Sequence, residues 1–359
     1  MKSLLFTLLL LAALFTSCSS QNQKVDADDP NIYYTGRIDY SNPKAVKFAW
    51  PGVSIKAKFE GKKCIILLNN YHQGQDPFGR DMENYYNLIV DGQLKILQTV
   101  NRDNKYAVDA LSDGVHTIEL FKRTEGLVGY TEFKGFELEN GKKLLPIERL
   151  SRKIEFVGNS ITCGYGNEGS SQNCHFNPAT ENHYRAYAAI AARNLNAEHH
   201  AIAYSGKGLY RNFDNTTDET MPDLYDRIFP FDSTVKWNNS KWVPDVVVIN
   251  LGTNDFSHII PNKVIWVNKY LSFIKTIRKH APNAYIFCTI GPMGSEDSLL
   301  KNYISSIVKT ASANGETRIE THFYPPQTPP YGCDYHPGIE THEKMAKELT
   351  TLIKQKLNW

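Results

Sequence analysis

The stretch IEFVGNSITCGYG, residues 154–166, carries an apolar run into Asn159 and Ser160, with glycines at 158, 164 and 166. A strand that ends in a glycine-bracketed turn holds one side chain exposed at the carboxyl edge of a sheet, where parallel α/β folds keep their chemistry. Ser160 is thereby a candidate nucleophile. The position also suits a helix N-cap, because serine satisfies orphan amides at a helix start. The stretch alone leaves both readings open.

Downstream, strand-like runs KIEFVG, HHAIAY, DVVVIN, AYIFCTI and TRIETHF alternate with helix-like stretches such as PNKVIWVNKYLSFIKTIRKH and EDSLLKNYISSIVKTASANG. That alternation predicts βαβ units and a doubly wound parallel sheet, an α/β fold. Upstream, from Ile32 to about Ile147, short β-rich runs (VSIKAKF, CIILLNN, HTIELFKR, FKGFELE) are separated by Gly, Asn and Asp turns. This half predicts an all-β sandwich. Within it YNLIVDGQLKIL has the Asp-Gly signature of a tight hairpin.

Polar clusters follow the later strands: SGKG at Ser205–Gly208, LGTND at Leu251–Asp255, and CDYHPG at Cys333–Gly338. Acyl transfer needs a nucleophile, a base and donors for an oxyanion. Ser160 supplies the hydroxyl, His336 the base, and the N–H groups of Ser160 and Gly206 with the Asn254 amide the donors. Singly, each has a duller role: Gly206 in a turn, Asn254 in an Asx-turn, His336 in a surface loop. Their order at the ends of successive strands favours a catalytic set. Tyr165, Tyr210, Tyr331 and Tyr335 lie near these blocks and could stack on a sugar ring, although most of the 20 tyrosines must serve packing.

The 359 residues are 41% hydrophobic and 22% charged, which suits two globular domains and argues against disorder. Forty basic and 38 acidic residues, scattered to a net +2, give no nucleic-acid footprint. Met1-Lys2 followed by SLLFTLLLLAALF reads as an export signal, too short for a comfortable membrane span. It ends in LFTSC, which resembles the lipobox of bacterial lipoproteins, so Cys18 is the expected lipidation site and a lipid anchor the only expected membrane contact. Five cysteines remain, with Cys163 and Cys174 one candidate pair. No CxxC or HExxH pattern suggests a metal, and none of the chemistry requires a cofactor.

The blocks GNSIT, SGKG, GTND and DYHP resemble those of the SGNH or GDSL hydrolases, at Ser160, Gly206, Asn254 and His336. A preceding β-sandwich and a DYHP near the C-terminus are similar, more narrowly, to carbohydrate esterase family 2. That resemblance implies a jelly-roll domain joined to an SGNH hydrolase domain, and an exported acetyl xylan esterase acting on acetylated xylan or glucomannan. The implied divisions are a lipoprotein signal peptide (1–18), a linker (19–31), the jelly-roll sandwich (32–147) and the hydrolase (152–359). Two departures stand out: Asn159 replaces the usual Asp before the serine, and Asp334 precedes His336 by two residues rather than three. Family members can use a Ser-His pair oriented by a backbone carbonyl, yet the nearness of Asp334 favours it as third member of a triad. The alternatives are a lipase, thioesterase or other small-ester hydrolase, or an inactive glycan-binding surface protein.

Overall fold

Apolar residues at alternate positions build the first half, as they must where a sheet has one face in a core. The computed structural model describes residues 22–75, 79, 81–100 and 102–359; the leader and Cys18 lie outside the described residues. One antiparallel sheet runs in the order Gln23–Val25, Gly129–Leu138, Cys64–His72, Arg102–Val108, with Val46–Phe48 also paired to Gly129–Leu138. The other runs Leu144–Leu145, Ser54–Glu60, Val115–Lys122, Tyr85–Val90, Gln93–Gln98, with Tyr33–Thr35 beside Ser54–Glu60. Ile66, Leu68, Phe133 and Phe136 from the first meet Ile55, Phe59, Ile118 and Leu120 from the second in one buried cluster. Each such side chain contributes about 1.5–3 kcal/mol by leaving water. The Asp-Gly hairpin forms as expected: Asp91 and Gly92 both take positive φ, 49° and 80°, between strands that pair Val90 with Gln93.

The stretch expected to be a linker, 19–31, is structured where it is described, from residue 22 onward. Gln23–Val25 pairs with Phe136–Leu138, and Val25 and Ala27 are buried. Two apolar side chains in a polar run are too few to register in composition, but edge pairing satisfies their backbone and carries them into the core.

In the second half, five strands form a wholly parallel sheet in the order Ala197–Ala203, Arg152–Gly158, Val246–Asn250, Tyr285–Ile290, Ile319–Phe323. Helices Lys263–His280 and Ser298–Ala313 cover one face, packing with Val157, Val247, Ile249 and Ile286. Helices Tyr187–Asn194 and Ile339–Leu357 cover the other, with Ile154, Phe156, Val246 and Val248. Burial on both faces explains why these strands read as unbroken apolar runs. The chain order reverses at Arg152–Gly158, so the opening stretch lies at the switch point where such sheets place ligands.

The halves share a polar, buried seam. Arg37 of the sandwich, wholly buried, donates to the carbonyls of Tyr225 and Arg227 and pairs with Glu155 at 3.2 Å. Tyr33 and Trp242 both donate to Glu198, at 2.5 and 2.6 Å.

Candidate active site

The strand Arg152–Gly158 delivers Ser160 through a bend that only glycine permits, since a Cβ on Gly158 would lie 2.0 Å from Thr162 Oγ1. Asn159, not Ser160, caps the short helix Ser160–Cys163: its side chain accepts the Ile161 N–H at 3.2 Å. The substitution of Asn for Asp therefore retains the cap, and the serine hydroxyl is left for other work. Ser160 Oγ lies 2.9 Å from His336 Nε2.

The histidine is held by its own loop. His336 Nδ1 meets the Cys333 carbonyl at 3.2 Å, and Tyr165 stacks on the imidazole at 4.1 Å between centroids. Asp334 does not take the expected third place. Its carboxylate accepts from Tyr165 Oη at 2.7 Å and contacts His175 Nδ1 at 2.8 Å. The cause is local: Asp334 and Tyr335 both adopt left-handed φ, 51° and 58°, which turns the chain tightly, brings the Cys333 carbonyl under the ring and sends the carboxylate elsewhere. Burial pulls the His336 pKa down to about 4, against the raising effect of the Cys333 carbonyl. Burial would raise Asp334, but the bonds from Tyr165 and His175 outweigh it and hold the carboxyl low.

A disulfide joins Cys174 to Cys333, so the candidate pairing of Cys163 with Cys174 is corrected; Cys163 is a buried free thiol beside Glu125 and Glu181. The bridge crosses 159 residues and anchors the residue whose carbonyl orients His336. Asp334 N–H donates to the Cys174 carbonyl at 2.9 Å and Cys333 N–H to Gly166 at 3.0 Å, tying the histidine loop to the nucleophile turn.

The donor side follows from strand register. Gly158 lies opposite Ala203 on one neighbour and Asn250 on the other, so Gly206 and Asn254 flank Ser160 at the same sheet edge. Gly206 has φ +77°, which favours glycine. Among the described residues the Ser160 and Gly206 N–H groups donate to no protein acceptor, and Asn254 Nδ2 uses one hydrogen on the Lys207 carbonyl at 2.8 Å, leaving its second. Asp255 joins these loops. Its buried carboxylate accepts from the N–H groups of Leu209, Tyr210 and Arg211 and from Trp266 Nε1, at 2.7–3.0 Å.

The tyrosines divide. Tyr165 packs against the base and Tyr210 against the core, whereas Tyr335 is 56% exposed beside His336 with Tyr331 5.9 Å away. Sequence reasoning missed the roles of Cys333, Asp255 and the sandwich residue Glu125, which reaches Ser205; the adjacency of Cys333 to the DYHP block was the one available hint. Among the described residues, Glu125, Cys163 and Glu181 bring three ligand-type atoms within 4.8 Å. Both Glu125 oxygens are already engaged by Ser205, and burial pushes the Cys163 thiol up, which disfavours the thiolate that a metal would need.

Residues 34–147 match the family model described as Carbohydrate esterase 2 N-terminal, and residues 156–344 match the GDSL-like Lipase/Acylhydrolase family. A solved family two carbohydrate esterase from Clostridium thermocellum, in complex with cellohexaose, is 40% identical, with a TM-score of 0.85 over 91% of this chain and 99% of that one. The chain belongs to carbohydrate esterase family 2. Its second half is a carboxylic ester hydrolase domain. The family member is also similar to the Cellulase/esterase CelE of Acetivibrio thermocellus, 40% identical over 347 residues; the match covers 95% of this chain but 41% of that protein's length. An Acetylxylan esterase / glucomannan deacetylase of Cellvibrio japonicus is 28% identical over the full length of both chains.

Proposed function

We propose that this chain is a serine esterase that removes O-acetyl groups from plant polysaccharides, acetylated xylan or glucomannan, through an acetyl-enzyme on Ser160. The observation that carries the reading is the 2.9 Å contact of Ser160 Oγ with His336 Nε2, flanked by donors without protein acceptors. Ser160 Oγ attacks the acetyl carbonyl while Nε2 takes its proton. The imidazolium so formed keeps its Nδ1–H on the Cys333 carbonyl, so the pair works as a dyad. The oxyanion is met by the N–H groups of Ser160 and Gly206 and by Asn254. Collapse expels the sugar oxygen, which takes the proton back from Nε2. Water, deprotonated by the same nitrogen, then releases acetate.

The polysaccharide assignment draws on the relative named acetylxylan esterase / glucomannan deacetylase and on the relative solved with cellohexaose. Tyr335 and Tyr331, beside the base, are the sugar-stacking surfaces in this reading. Export and anchoring through Cys18 belong to it as well: a lipid on Cys18 would hold the enzyme at a membrane, periplasmic or cell-surface. No helix among the described residues is long and apolar enough to cross a membrane.

Acetate release from a panel of acetylated glycans tests the substrate. Ser160→Ala tests the mechanism: it should keep the fold by circular dichroism and lower turnover of a chromogenic acetate by about 10⁴-fold or more. Near-normal turnover in that variant rules the mechanism out.

A further inference from the structure

The loop that presents Gly206 is held at both ends by buried carboxylates. Asp255, from the neighbouring strand end, binds three N–H groups at residues 209–211. The other end is held from the sandwich. Glu125, wholly buried just beyond the strand Val115–Lys122, accepts the Ser205 N–H at 2.7 Å through Oε2 and the Ser205 hydroxyl through Oε1. On the far side of the loop, the Gly206 carbonyl accepts the Phe213 N–H at 2.8 Å.

These bonds fix the peptide planes on either side of the Ser205–Gly206 bond. The Ser205 N–H belongs to the plane before it and the Gly206 carbonyl to the plane after it. The plane between, which carries the Gly206 N–H, is thereby oriented without that N–H being used. Resting on the esterase reading above, we propose that Glu125 of the β-sandwich is a positioning residue for oxyanion stabilisation, aiming the Gly206 N–H through Ser205.

The surroundings of Glu125 are built for this bond pattern. Its own N–H donates to Glu181 Oε2 at 2.9 Å, and burial raises both carboxyls, which favours a proton between them. Two donations from Ser205 make Glu125 the better seat for the negative charge and Glu181 for the proton. Lys122, whose ammonium is pulled down to about 7 by burial, is the nearby counter-charge. Glu181 is followed by Asn182, whose N–H donates to the Gly164 carbonyl at the end of the nucleophile helix. The cluster therefore couples the sandwich to both the nucleophile turn and the oxyanion loop.

Kinetics on an acetate ester and on its thionoacetate counterpart (C=S in place of C=O) test the assignment, because sulfur draws less on donors aimed at an oxyanion. Glu125→Ala should lower kcat and kcat/KM equally, by about 10- to 100-fold, with KM little changed. It should also shrink the oxo-to-thiono rate ratio at least roughly threefold, which a loss of folded protein would not do. Glu125→Gln, which keeps an acceptor for the Ser205 N–H, should recover most of both. If Glu125→Ala does not fold, Ser205→Ala, which loses the hydroxyl bond but keeps the N–H bond, carries the test, with a smaller fall of about twofold in the same ratio expected. An unchanged ratio in the folded variant overturns the proposal while leaving the esterase reading standing. A wild-type protein inert on acetate esters removes both.

Discussion

At His336 one ring nitrogen faces the Ser160 hydroxyl and the other a backbone carbonyl, so in the proposed dyad what the base needs from its neighbours is orientation rather than a buried counter-charge. Asp334 acts on the ring through space while its carboxylate is bonded to Tyr165 and His175. Asp334→Ala should therefore keep turnover within about tenfold of wild type, a change of about 1.4 kcal/mol in barrier. A fall of about 10⁴, as loss of an orienting acid produces in a triad, would restore Asp334 to that role. The pH profile gives a second check. Burial disfavours the imidazolium and lowers the His336 pKa to about 4, so the free base persists well below the usual histidine range. The acid limb of kcat/KM should accordingly bend near pH 4, with a plateau above about pH 5; a limb near the unperturbed value of about 6.5 contradicts it. Of this site, Ser160, Gly206, Asn254 and His336 were legible because each follows a strand in a short polar block. The partner of Nδ1 was not, because residue spacing assumes an extended or helical chain and two successive left-handed residues obey neither.

At the scale of elements, the histidine loop is a short structure carried by covalent and hydrogen-bonded ties to the nucleophile turn. The alternating strands and helices of the second half could be read in advance, since a sheet buried on both faces leaves long apolar runs. The Cys174–Cys333 bridge could not, because pairing across 159 residues depends on which loops the sheet edge gathers. In the chain-entropy model a closure of that length contributes about 5 kcal/mol. Cys174→Ser should thus lower Tm, and should lower kcat more than it raises KM, because the displaced group is the carbonyl that orients the base. Spectrally native protein with full turnover would show that the hydrogen bonds from Asp334 and Cys333 hold the loop unaided.

Across the whole molecule, the periodicity of the sequence distinguishes two domains but says nothing of how tightly they join, because beside apolar contacts such as Ala49 with Phe229 and Phe121 with Tyr184 the seam is tied by polar residues that look like surface. Arg37, Arg123 and Glu125 stand at β-strand turns in an otherwise ordinary charged pattern, yet all three are fully buried against the hydrolase half. A buried ion pair adds little over an apolar pair of the same shape, but removing one partner strands a charge and costs about 3–5 kcal/mol. Arg37 also satisfies two carbonyls, and among the described residues Glu155 otherwise keeps only the Tyr225 hydroxyl, at 2.6 Å. Two consequences follow for measurement. The full chain should unfold in one calorimetric transition, the sandwich and the hydrolase melting together, where separable domains would give two. Arg37→Ala should lower that transition by roughly 4–7 °C while leaving kcat of the still-folded enzyme near wild type, since Arg37 bonds Glu155 and the 225–227 segment rather than the loops that carry Ser160, Gly206, Asn254 and His336. A split into two transitions, or a Tm unchanged by the substitution, would mean that the seam holds the domains in contact without making their folding one event.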